Sequence, residues 1–153
     1  NGSSGSKHDG GLTTGGIRAT QKLARRLIKK YGYPDKIYCS PLYRTRQTAE
    51  LIQEQLPHKV PIVVDMNLTK YFTTSQKKNP RVRKDTRRYN PPYIETKEDV
   101  RRRARRQLRN MKARDLQREN IWCVTHAIVF KYICALDGND YYGDIPFLDY
   151  YTM

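Results

Sequence analysis

Apolar residues recur at helical spacing early in the chain, at Ile17, Leu23, Ala24, Leu27, Ile28 and Tyr31, with Arg and Lys on the opposite face. The pattern predicts an amphipathic helix over 17–31. Gly32 fits its C-terminal stop, and Pro34 prevents continuation. The preceding residues, 1–16, are rich in Gly, Ser and Thr and read as loop. Lys36-Ile-Tyr-Cys39 predicts a short strand ending at Ser40-Pro41. Serine as N-cap and proline at the first helical position then predict a second helix, burying Leu42, Ala49, Ile52 and Leu56. Val60 to Val64 reads as a second strand. Residues 66–94 carry no clean period and are punctuated by Pro80, Pro91 and Pro92, so they read as a long basic loop or insertion. A capping box at Thr96 and Asp99 opens a long helix with Val100, Ala104, Leu108 and Met111 on one face. Asn120 to Thr125 predicts a third strand, followed by a helix from Ala127 to Leu136. The last apolar run, Ile145 to Tyr151, reads as an edge strand because Pro146 cannot donate to a ladder.

Strands that alternate with helices predict an α/β fold, a three-layer α/β/α sandwich around a mostly parallel central sheet. The 153 residues suit a single domain. Ligands of such sheets bind beyond the carboxyl ends of the strands. That directs attention to Ser40 with its helix and to Val124-Thr125-His126 with the next one.

Composition adds three constraints. No apolar run approaches the roughly 20 residues that span a bilayer, so no membrane span is expected. Cys39, Cys123 and Cys134 are an odd number without CxxC spacing, and two lie in strand-like apolar runs. Buried free thiols argue for a reducing intracellular compartment such as the cytoplasm or an organelle matrix; a virion is the alternative location if the chain serves in a large assembly. They argue against a disulfide framework or a zinc site, and no cofactor or metal is expected. The chain opens on Asn with no secretory signal, and further sequence is expected upstream of Asn1.

Charge is the strongest compositional signal. The net charge is +15, and between Lys70 and Arg118 there are 18 Lys or Arg against 5 Asp or Glu. The candidate binding groups are Lys77, Lys78, Arg81, Arg83, Lys84, Arg87 and Arg88 in the loop, and Arg101, Arg102, Arg105, Arg106 and Arg109 on the long helix. Aromatic residues (Tyr71, Phe72, Tyr89, Tyr93) interleave with the loop bases. Such a field fits nucleic acid, a nucleoprotein assembly or an acidic protein surface. No base-reading motif is present, so binding would be driven by the phosphate backbone.

The residues able to carry chemistry sit at the strand ends. In Ser40-Pro-Leu-Tyr-Arg44-Thr-Arg46-Gln-Thr-Ala49 a strand enters a helix whose first-turn amides are unpaired, and Arg44 adds a planar fork suited to phosphate oxygens. It also reads as an ordinary helix start with solvated arginines. His126, directly after a buried strand, is placed as acid, base or anion donor, or alternatively as a satisfied core histidine.

Taken in order, Leu12-Thr13-x-x-Gly16, the Ser40–Ala49 segment, Glu95-Thr96 and Val124-Thr125-His126 resemble the histidine phosphatase superfamily, with its phosphoglycerate mutase-like fold. The resemblance runs from about Asp9 to Tyr151. It implies that Arg44 clamps phosphate, that His126 is the second pocket histidine, and that Leu12, Thr13 and Gly16 open the first helix. Two departures stand out. The family's nucleophilic histidine belongs to an Arg-His-Gly motif on the first, central strand; His8 lies only four residues before Leu12 and is read as a loop residue, not the nucleophile. The family's general acid is a glutamate after the second strand read here, where this chain has Asn67-Leu-Thr-Lys70, a lysine that binds phosphate but is poorly suited to proton delivery near neutral pH.

These features predict a catalytically degenerate family member, a pseudophosphatase, lacking its first strand. It would serve as a structural or scaffolding component of a large assembly such as a virion shell or ribonucleoprotein. The alternatives are an active phosphomonoesterase or phosphomutase with its phosphohistidine upstream, and a module that binds a phosphate-containing ligand through Arg44, Lys70 and His126 without turnover.

Overall fold

The computed structural model describes residues 10–80, 95–139 and 149–152. Its elements run in the order α1 (Thr14–Tyr31), β1 (Lys36–Cys39), α2 (Tyr43–Gln53), β2 (Ile62–Val64), a 3-10 turn (Met66–Leu68), α3 (Thr74–Lys78), α4 (Lys97–Asp115), β3 (Ile121–Val124) and α5 (Ala127–Leu136). The strands form a parallel sheet in the order β2-β1-β3, with Ile37 opposite Ile62 and Trp122. Alternation along the strands divides the core between two faces. Ile37 and Cys39 pack with Ala24, Ala49, Ile52 and Val60 beneath α1 and α2, joined by Trp122 and Val124. Tyr38 and Cys123 face Leu68, Val100, Ala104, Leu108, Val129 and Ile133 beneath α4 and α5. The result is the expected α/β/α sandwich.

α1 begins one turn earlier than its apolar period suggests. Thr13 caps it by accepting a hydrogen bond from the Gly16 amide at 3.0 Å, and Gly32 ends it with φ +80°. Its buried stripe is Gly16, Thr20 and Ala24, spaced four apart. These small residues let the helix axis approach its neighbours, so the larger Leu23, Leu27 and Ile28 are only half-buried on the flanks and Tyr31 is exposed.

α2 departs from expectation at its start. Leu42 occupies the N-cap without a side-chain hydrogen bond, and Pro41 precedes the helix. Ser40 is therefore not the cap; its hydroxyl is engaged elsewhere. Thr45 secures the turn by donating from Oγ1 to the carbonyls of Ser40 (2.8 Å) and Leu42 (2.7 Å).

The unpatterned region after β2 is more ordered than its sequence suggests. Within residues 66–80 the chain forms the 3-10 turn and α3, which is closed by a capping box between Thr73 and Gln76. Leu68 and Phe72 are wholly buried. Tertiary burial of single side chains overrides the missing period, which such short elements are too brief to display. Residues 81–94, with Arg81, Arg83, Lys84, Arg87 and Arg88, lie outside the described residues, as does His8. Of the expected strand at 145–151, residues 149–151 are not strand and the remainder lies outside the described residues.

The capping box of α4 forms as expected: Thr96 Oγ1 accepts from the Asp99 amide at 3.2 Å, and Asp99 Oδ2 accepts from the Thr96 amide at 2.9 Å. Among the described residues no helix is long and apolar enough to cross a membrane. Cys39, Cys123 and Cys134 are free thiols, and burial pushes them up to about 11, 12 and 11 respectively.

Candidate functional site

All three strands run in the same direction, so their carboxyl ends gather Ser40, the Asp65–Lys70 segment and Thr125-His126 at one edge of the sheet. Backbone bonds hold these ends in register. The Ser40 amide donates to the Val124 carbonyl at 3.0 Å and the Asp65 amide to the Cys39 carbonyl at 2.8 Å. Thr125 Oγ1 donates to the Leu68 carbonyl at 2.9 Å, tying the end of β3 to the turn after β2.

His126 is the N-cap residue of α5, yet its side chain makes no capping bond. Its Nε2 instead lies 2.8 Å from Ser40 Oγ, a contact joining positions 86 residues apart. The Leu42 amide also points at that hydroxyl, at 3.4 Å. Ser40 is completely buried. Its hydroxyl therefore holds the imidazole from within. The sequence conceals this role, because a serine before a proline and a helix reads as a cap.

The electrostatics around His126 have one sign. Burial holds the imidazole well below its ordinary value, and the positive charges of Arg44, Lys70 and Arg103 lower it further. Lys70 is half-buried, and its ammonium is also lowered, first by desolvation and then by Arg44. Its Nζ stands 5.4 Å from the centre of the Phe72 ring. The positive charges of Arg44 and Lys70 thus act on the neutral His126 imidazole. Beside Lys70, Thr69 Oγ1 is buried without a hydrogen-bond partner among the described residues.

Arg103 turns inward from α4 instead of joining the basic surface. Its guanidinium makes a forked pair with Glu95, at 2.6 and 3.2 Å, and donates to the Asn67 carbonyl at 2.7 Å. This pair fixes the segment leading to Lys70 against the start of α4. Lys77 also differs from expectation. It is buried, with its ammonium lowered by desolvation, and the charges of Glu95, Arg103 and Asp99 act on it. It is unavailable as a surface contact, unlike the exposed Lys78.

The remaining motif residues are explained by one contact. The Leu12 amide donates to Gln47 Oε1 at 2.7 Å, binding the segment before α1 to α2. Gly11 lies so close to Tyr43 and Gln47 that an added Cβ would meet them at 2.8 and 2.9 Å. Among the described residues no group of His, Cys, Asp and Glu is arranged to hold a metal ion.

The sequence pattern described as "Histidine phosphatase superfamily (branch 1)" matches residues 1–140. The chain belongs to the histidine phosphatase superfamily. Among curated proteins it is similar to Phosphomutase-like protein 3 of Candida albicans, 33% identical over 72 residues. That match covers 46% of this chain and 23% of the relative, less than a quarter of its length. Among solved structures it is similar to YhfR of Bacillus stearothermophilus, with TM-score 0.64 and 24% identity, covering 86% of this chain and 69% of that one. A putative alpha-ribazole-5'-P phosphatase from Escherichia coli gives TM-score 0.61 and 22% identity, over 90% and 72% of the two chains. Mycobacterial glucosyl-3-phosphoglycerate phosphatase in complex with inorganic phosphate gives 0.59 and 19%, over 85% and 70%. At these identities the structures show the shared phosphoglycerate mutase-like fold.

Proposed function

We propose that this chain uses the pocket of a histidine phosphatase to bind a phosphate group, free or esterified, and does not turn it over. The observation that carries this reading is the uniform sign of the charges acting on His126 among the described residues: Arg44, Lys70 and Arg103. Dianionic phosphate suits such a site, since guanidinium, ammonium and imidazole all donate to its oxygens. A leaving alkoxide also needs a proton near neutral pH, and the family resemblance sets Lys70 in place of the carboxylic acid that would deliver it. Inorganic phosphate bound to a mycobacterial relative agrees with the ligand class.

The sequence reading of His8 as a residue other than the nucleophile agrees with this proposal. Among the described residues β3 has a neighbour on one side only, and its four residues are merely half-buried, whereas Ile37 and Cys39 of β1 are fully buried. Whether an Arg-His-Gly strand lies upstream of Asn1 separates a degenerate protein from an active one.

Turnover of p-nitrophenyl phosphate and a search for alkali-stable, acid-labile phosphohistidine after a base quench test the proposal. No turnover above background is expected. Hydrolysis that disappears in His126→Ala would overturn the non-catalytic reading in favour of a phosphomonoesterase or phosphomutase. A second reading, structural service in a large assembly such as a virion shell or ribonucleoprotein, is supported by the exposed arginines of α4. The free thiols suit a reducing compartment for either role.

A further inference from the structure

The side of α4 turned away from the sheet has an unusual composition. Between Thr96 and Asn110 every exposed residue is polar, and Arg101, Arg102, Arg105, Arg106 and Arg109 dominate. Arg101, Arg105 and Arg109 follow one another at four-residue intervals, rising about 6 Å per step along one row of the helix. Arg102 and Arg106 form a second row beside it. Only Arg102 has an acidic partner, Asp99 at 3.3 Å; among the described residues none of the other four is paired. Like charges at this spacing repel and weaken a helix, so the arrangement is not explained by the stability of α4.

α1 is also basic but differs in being partly satisfied. Arg25 donates to Gln55 at 2.9 Å, Arg26 lies over the Tyr150 ring and Lys30 over that of Tyr31. A protein partner would call for apolar anchors at the centre of the contact, and this face of α4 has none. A polyanion with charges at regular short intervals needs none, since release of its counterions drives binding.

We propose that the outer face of α4 is a binding surface for the sugar-phosphate backbone of a nucleic acid, read without regard to base sequence. The inference deepens the assembly reading above and does not depend on the phosphate pocket. The test is fluorescence anisotropy with a labelled 20-nucleotide oligothymidylate across a range of salt concentrations. Four backbone contacts predict that log K falls against log salt with a slope of about −3 for a single strand. The variant R101Q/R105Q/R106Q/R109Q, with its thermal midpoint checked, is expected to lose at least tenfold in affinity and most of that slope. Arg105→Gln alone should flatten the slope by roughly one contact. R18Q/K22Q/K29Q/K59Q, which removes the same charge from exposed positions elsewhere, should retain most of the affinity. Equal losses in the two quadruple variants would overturn the assignment to α4 and leave only net charge. Equally tight binding of a 20-residue polyglutamate would overturn it in favour of an acidic protein surface.

Discussion

The Ser40 hydroxyl and the His126 imidazole show how one contact decides what a pocket can do. A half-buried, neutral imidazole donates from only one ring nitrogen, and the Ser40 hydroxyl engages Nε2. Replacing Ser40 by Ala removes that partner. Phosphate affinity should fall several-fold while the fold persists, as measured by calorimetry beside a denaturation curve. pH provides an independent check. The folded-state value of His126 lies well below the unfolded one of about 6.5. The unfolded chain therefore binds the extra proton first, and this contribution to stability is lost as pH falls below about 6.5. The thermal midpoint should drop between pH 7.5 and 5.5, less so in His126→Gln, and saturating phosphate should reduce the drop by favouring the imidazolium. Gly11→Ala forces contact with Tyr43 and Gln47 and should destabilise by about 1–3 kcal/mol. Recovery of part of the loss in the Tyr43→Ala background would identify the contact responsible.

Among the elements, α4 joins two different tasks on one helix. Its inner face supplies Val100, Ala104, Leu108 and Met111 to the core. All four follow from the 3.6-residue period, and the cap is legible at Thr96 and Asp99. The same arginine-rich run hides Arg103, whose inward role no local signal betrays, because Glu95 and Asn67 become its neighbours only through the fold. Breaking that pair with Arg103→Met should cost about 3–5 kcal/mol, and adding Glu95→Leu should recover much of it. Urea denaturation of the single and double variants measures both. The outer arginines predict the opposite sign. Arg105→Gln relieves repulsion with Arg101 and Arg109 and should stabilise by a few tenths of a kcal/mol per pair. Conversely, the start of α2 was misleading in the sequence. Ser40-Pro41 has the composition of a helix cap, but long-range pairing with His126 competes successfully for the hydroxyl.

For the molecule as a whole, the alternation of strands and helices made the sandwich legible, and parallel strands necessarily collect their carboxyl ends at one edge. The motifs at those ends therefore share that edge of the sheet. What they could not convey was the balance of charge within it, which arises from Lys70 and Arg103 approaching along separate segments. The comparisons establish the superfamily. The most direct measurement is isothermal titration calorimetry with inorganic phosphate at constant ionic strength, on the parent chain and on Arg44→Ala. Saturable binding that weakens by roughly tenfold or more in the variant, as loss of a charge-assisted contact predicts, would agree with a phosphate pocket built on Arg44, Lys70 and His126. No saturable heat in the parent, or equal affinity in both proteins, would contradict it.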